Sequence, residues 1–224
     1  MAQDDTIVIV NVILSFNFHL STFNSMNLIL ASNSPRRKEL LAGLGYPFKV
    51  RLLDGIDESY PDTLRGGDIA AHISRVKAEA YRATMAADEL VITADTIVCL
   101  DEQVLGKPAD ETEAIAMLRS LSGRTHQVYT GVTLSTTGKT TTFVSCSNVT
   151  FASLSDEEIR HYVAHYRPMD KAGAYGIQEW IGYIGVERIE GSYFNVMGLP
   201  VQRLYKELKA FSISCPECGP LPSL

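Results

Sequence analysis

Two hydroxyls and three cations fall within one short stretch, Ser32-Asn33-Ser34-Pro35-Arg36-Arg37-Lys38. Ser followed by Pro marks the start of a helix, so Arg36, Arg37 and Lys38 crowd its first turn. Backbone N–H groups there already act as partial positive charge, and each added cation costs ~0.3–1 kcal/mol unless an anion arrives. A phosphate resolves the conflict, because N–H groups, hydroxyls and guanidinium forks would all converge on it. The plainer reading is a capped helix whose basic side chains point into solvent.

Asp95 stands inside Val91-Ile92-Thr93-Ala94-Asp95-Thr96-Ile97-Val98, an otherwise apolar run. A carboxylate in a buried strand needs a cation, a metal or good donors. Lys77, ahead of the strand, and Lys107, in the Gly106-Lys107-Pro108 turn after it, are both placed to pair with it. Lysines suit phosphate oxygens, and a carboxylate suits a divalent ion or a water proton; a purely structural Asp–Lys pair is the alternative. A third segment, Asp170-Lys171-Ala172-Gly173-Ala174-Tyr175-Gly176-Ile177-Gln178, combines small residues that permit close backbone approach with an amide able to read a base edge.

Other motifs carry less. Gly138-Lys139-Thr140 ends like a phosphate-binding loop, but Thr133 stands where its first glycine belongs. His161 and His165 have metal-binding spacing, yet Tyr162 stands where a zinc protease has its Glu, so a surface helix is expected. Cys215-Pro216-Glu217-Cys218 has no second pair nearby, and Asn148-Val149-Thr150 is a glycosylation sequon without meaning in a cytoplasmic chain.

Strand and helix signals alternate around these residues. Strands are expected at 28–32, 48–53 and 90–100, a hairpin at 127–136 and 140–152 joined by Thr137-Gly138-Lys139, and a last strand at 182–189. Helices are expected from Pro35 to about Leu44, at 68–85, at 110–121, from a Ser155/Glu158 capping box to Tyr166, and at 200–210, with a polar loop at 54–65. The pattern predicts one α/β domain, a mixed twisted sheet in two lobes with flanking helices. Residues 1–25 contain no Lys or Arg and read as an extension outside the core, 26–210 as the working domain, and 211–224 as a tail.

The chain has 224 residues, 46% apolar and 21% charged, which excludes disordered and fibrous classes. A net charge of -6 opposes non-specific binding to nucleic acid or anionic membranes, so an anionic ligand must meet a local cluster of cations. Four dispersed cysteines fit a reducing cytoplasm, and no apolar run reaches the ~18 residues of a membrane span.

The segments at Ser32–Arg37, Ala94-Asp95-Thr96, Gly106-Lys107-Pro108, Leu121-Ser122-Gly123 and Asp170–Gln178, in this order, resemble the Maf-like nucleoside triphosphate pyrophosphatases, in particular the branch acting on dTTP and UTP. The likeness runs over 28–208. It implies a Maf/inosine triphosphatase-like fold and a cytoplasmic enzyme that cleaves between the α and β phosphates with a divalent metal, Mg²⁺ or Mn²⁺. Asp95 matches the family's proton acceptor, and Arg36, Thr96 and Gln178 match positions associated with substrate choice. Glu58, Lys77 and Lys107 match residues lining the same cleft, Glu58 and Asp95 as metal ligands and the lysines, with Ser32, Ser34 and Arg37, as substrate contacts. The family also suggests a homodimer. The alternatives are a nucleotide-binding regulator of cell division without turnover, and hydrolysis of modified purine triphosphates.

Overall fold

The computed structural model describes residues 26–211 and 213. The expected 1–25 extension and Cys215 and Cys218 lie outside the described residues. One seven-stranded mixed sheet organises the chain, in the order β2-β1-β3-β5-β6-β7, with β4 on the far part of β3. Strand β1 (Asn27–Leu30) lies parallel to β2 (Phe48–Val50) and β3 (Glu89–Leu100). From β3 onward the pairing is antiparallel, through β4 (Gln103–Leu105), β5 (Thr125–Ser135), β6 (Thr140–Phe151) and β7 (Val186–Glu190).

Helix α1 (Pro35–Ala42) follows β1 after a tight turn, with Ser34 Oγ accepting from the Arg37 N–H and Pro35 in the first turn. Helix α2 (Gly67–Tyr81) turns Ile69, Ala70 and Ile73 onto one face of the sheet, where they meet Ile97 and Cys99. The opposite face is covered by α3 (Glu111–Leu121), α4 (Asp156–Tyr166) and α7 (Val201–Ala210). Their Leu118, Ile159 and Leu204 pack with Leu90, Ile92 and Val98 in the main core. Two short helices, α5 (Trp180–Gly185) and α6 (Tyr193–Met197), flank β7.

Strand β3 serves both faces because successive side chains point to opposite sides. Leu90, Ile92, Ala94 and Val98 join the main core, whereas Val91, Ile97 and Cys99 face α2 or its end. Asp95 and Thr96 inherit that alternation, the acid on the α2 side and the hydroxyl on the α1 side. Gly131 is the cross-strand partner of Asp95. A Cβ there would lie 2.3 Å from the Ala70 carbonyl oxygen, so glycine is what lets α2 approach the sheet at this level.

Three expected elements are corrected. Residues 182–189 do not form one strand: α5 occupies Trp180–Gly185, and β7 begins only at Val186. A Cβ on Gly182 would meet the Ile177 carbonyl oxygen at 1.8 Å, so this short helix is held by a backbone approach that apolar periodicity does not reveal. Strand β2 stops at Val50 because its partner β1 stops at Leu30. Helix α2 ends at Tyr81, followed by a 3₁₀ turn, short of the expected Met85. The hairpin of β5 and β6 and the reciprocal Ser155/Glu158 cap of α4 form as expected.

Candidate functional site

Asp95 obtains its partner from α2. Lys77 lies one turn beyond Ile73 on the sheet-facing stripe, and its Nζ is 2.9 Å from Asp95 Oδ1 and 3.0 Å from Glu58 Oε2. The lysine and Asp95 side chains retain only 14% and 15% of their exposure, whereas Glu58, on the loop after β2, keeps 53%. Of the two lysines suggested by sequence, Lys77 forms the pair. Lys107 is exposed on the far wall of the same cleft.

On the other face of β3, Arg37 reaches back from α1. Its Nε donates to the Gly198 carbonyl at 2.8 Å, Nη1 to the Ala94 carbonyl at 3.0 Å and Nη2 to Thr96 Oγ1 at 3.0 Å. Burial lowers the Arg37 pKa and the nearby Asp95 carboxylate opposes that shift. Thr130 Oγ1 donates to the Asn195 carbonyl at 3.1 Å and lies 2.9 Å from Thr96 Oγ1. The Thr96 hydroxyl hydrogen therefore points to Thr130, leaving one lone pair beside the Arg37 bond for a ligand. Ser32 Oγ is within 3.3 Å of the Ser34 N–H and shapes the entry to α1.

These groups meet around one cleft with two connected chambers of about 410 and 480 Å³. Both chambers touch Ser34, Arg36, Arg37, Glu58, Lys77 and Lys107. The first adds Asp95, Thr96 and Gln178; the second runs over the start of α1 past Ser32 and Asp54. In the first chamber five cations, the four shared ones and Lys171, face three carboxylates, Glu58, Asp95 and Asp170, so the cleft is locally positive within a chain of charge -6. Gln178 Oε1 is buried there without a hydrogen-bond partner.

Asp170 and Lys171, which open the Asp170–Gln178 segment, are further charged residues of the cleft. Asp170 Oδ2 lies 3.4 Å from Arg36 Nη1, and Lys171 is 93% buried between Asp170 and Glu179. Burial acts to raise the Asp170 pKa, but Lys171 and Arg36 outweigh it and hold the carboxyl below its usual range. The rule that found Asp95, a charge embedded among small or apolar residues, applies equally to Lys171.

Glu58 and Asp95 offer hard oxygen donors that converge on one point, the Lys77 ammonium. Among the described residues no group of three or more His, Cys, Asp or Glu is placed to hold a metal. Two carboxylates with the remaining positions left to water and phosphate oxygens fit the way Mg²⁺ is commonly bound.

Fold and cleft together define an α/β protein whose locally positive cleft opens onto an embedded acid. The chain belongs to the Maf-like protein family, whose model matches residues 27–211. It is 62% identical over 190 residues to the dTTP/UTP pyrophosphatase of Phocaeicola vulgatus, covering 85% of this chain and 98% of that one. The dTTP/UTP pyrophosphatase of Parabacteroides distasonis is 58% identical over 192 residues, 86% of this chain and 100% of that one. Among solved structures, the nucleoside-triphosphatase / dITP/XTP pyrophosphatase of Mycobacterium abscessus is similar at 16% identity and a TM-score of 0.39, over 85% of this chain and 100% of that one. No helix among the described residues is long and apolar enough to cross a membrane.

Proposed function

We propose that this protein is a cytoplasmic nucleoside triphosphate pyrophosphatase that hydrolyses dTTP and UTP to the monophosphate and pyrophosphate. The observation that carries the reading is the Asp95–Lys77 pair in a cleft it shares with Arg36, Lys107 and the unpartnered Gln178 carbonyl. The substrates are those in the names of relatives at 58–62% identity.

Each side chain has a physical task. Arg36, Lys77 and Lys107 hold the triphosphate, with the Ser34-capped start of α1 as a further donor surface. Arg37, whose donors are largely engaged by the protein, acts as a fixed positive charge behind the cleft floor. Asp95 accepts the proton of a water whose oxygen forms a bond to the α phosphorus. The bond from that phosphorus to the bridging oxygen breaks, its electron pair leaves with pyrophosphate, and Asp95 returns the proton to solvent. Glu58 and Asp95 would hold a divalent cation, Mg²⁺ or Mn²⁺, which would supply charge neutralisation at the phosphate oxygens. Gln178 Oε1 accepts from the N3–H that uracil and thymine share and cytosine lacks, and Thr96 lines the same chamber as a further substrate contact.

Pyrophosphate release from UTP and dTTP with added Mg²⁺ tests the reaction. Asp95→Asn should lower kcat by about 10²–10⁴-fold, as removal of a positioned base does. Turnover within about tenfold of wild type in a folded variant excludes Asp95 as the base. Saturable binding without pyrophosphate release favours a nucleotide-binding regulator, and preference for a modified purine triphosphate reassigns the substrate.

A further inference from the structure

Tyr162 is completely buried in α4, yet its hydroxyl faces the loop that carries Gln178. It accepts from the Gly176 N–H at 3.0 Å and donates to Glu179 Oε2. Burial first, then the Glu179 carboxylate, raises the phenol pKa far above its usual value, so the group remains a donor. Glu179 Oε1 lies 3.1 Å from Lys171 Nζ, which is 2.7 Å from Asp170 Oδ1. Asp170 Oδ2 in turn meets Arg36 at 3.4 Å. A continuous polar chain thus runs from the core of α4 to a cation in the cleft.

Gln178 sits inside this chain, between Gly176 and Glu179. The Glu179 N–H donates to the Gly176 carbonyl at 3.0 Å, closing a turn around it. A Cβ on Gly176 would lie 2.8 Å from the Glu179 carboxyl carbon, so the carboxylate packs directly against this backbone. A buried amide oxygen without a partner costs ~1–3 kcal/mol and would swing away to find one unless its backbone were held.

We propose that Tyr162 and Glu179 are positioning residues that fix the Gln178 amide for recognition of the pyrimidine edge, and that Lys171 and Asp170 tie the same framework to the phosphate-side cation Arg36. The proposal rests on the reading of Gln178 as the base-facing amide. It explains why a phenol and an ion pair are built into an otherwise apolar region: they restrain a neighbour that must stay unsatisfied until substrate arrives.

The test compares wild type, Tyr162→Phe, Glu179→Gln and Gln178→Ala. The expected result for Tyr162→Phe is a fall of about tenfold in the UTP to CTP ratio of kcat/KM, with KM for UTP raised and kcat less affected. General weakening of the fold would lower both substrates alike. In parallel, the Gln178 side-chain NH₂ signals in ¹⁵N–¹H spectra, assigned by their loss in Gln178→Ala, should form one sharp pair in wild type and be shifted, broadened or split into further pairs in Tyr162→Phe. Should that variant not fold, Glu179→Gln, which keeps the volume and the Tyr162 donor, is expected to show both effects. An unchanged selectivity ratio together with an unmoved Gln178 signal in a folded variant overturns the proposal. If wild type itself does not separate UTP from CTP, the base-reading role of Gln178 fails, while the amide signal still decides whether Tyr162 and Glu179 hold it.

Discussion

His126 illustrates what burial does to a single titratable group. Its ring is fully enclosed, packed edge-on against Phe151 and Tyr175, with Nε2 2.8 Å from the Tyr175 hydroxyl. Burial pushes its pKa down to about 4 and raises that of the Tyr175 phenol, so both groups stay neutral around pH 7. The sign of the consequence follows from linkage. An unfolded histidine takes up its proton near pH 6.5, the folded one only near 4, so the contribution is complete above about 6.5 and lost as pH falls toward 4. The loss amounts to about 3 kcal/mol over that window. His126→Phe should be less stable at neutral pH through loss of the Tyr175 bond, yet show a flatter fall of unfolding free energy between pH 6.5 and 4. Urea denaturation across that range checks this, and parallel slopes for the two proteins would show that the acid sensitivity arises elsewhere.

Among the elements, α2 and β3 form the critical contact because Lys77 reaches Asp95 only while the helix lies close to the sheet. At Gly131, opposite Asp95 on β5, any Cβ would strike the α2 backbone at Ala70. Gly131→Ala should therefore act on stability and activity together: about 1–3 kcal/mol from overpacking, and a reduced kcat as Lys77 is displaced. Denaturant unfolding together with pyrophosphate release measures both, and stability within about 0.5 kcal/mol of wild type would show that α2 yields without cost. The start of α1, the β5–β6 hairpin and the cap of α4 were all legible in the sequence, since Ser34-Pro35, Thr137-Gly138-Lys139 and Ser155 with Glu158 act locally. The need of Asp95 for a partner was legible too, though its choice of Lys77 over Lys107 depended on how α2 docks. Helix α5 was not legible, because six residues are too few to show a helical period and Gly182 is selected by its approach to Ile177. The Tyr162–Glu179–Lys171 chain was equally hidden, for it joins α4 to a loop through tertiary contacts alone.

For the molecule as a whole, the sheet starts at Asn27 with a strand whose Leu28, Ile29 and Leu30 are almost wholly buried, and the family's match spans 27–211. Every residue assigned a role in the cleft lies within that span. A shortened chain of residues 26–213 should therefore fold and release pyrophosphate from UTP within about threefold of the full chain. A loss beyond about tenfold in a folded protein would place part of the working machinery outside that span.

The opposite orientation of Asp95 and Thr96 on one strand has a consequence for how this chain can change over evolutionary time. Gaining or losing a single codon inside β3 would transpose acid and hydroxyl, sending the first toward Arg37 and the second toward Lys77. An added residue at the tip Thr137-Gly138-Lys139 would leave those two sides distinct, as would replacements along the strand.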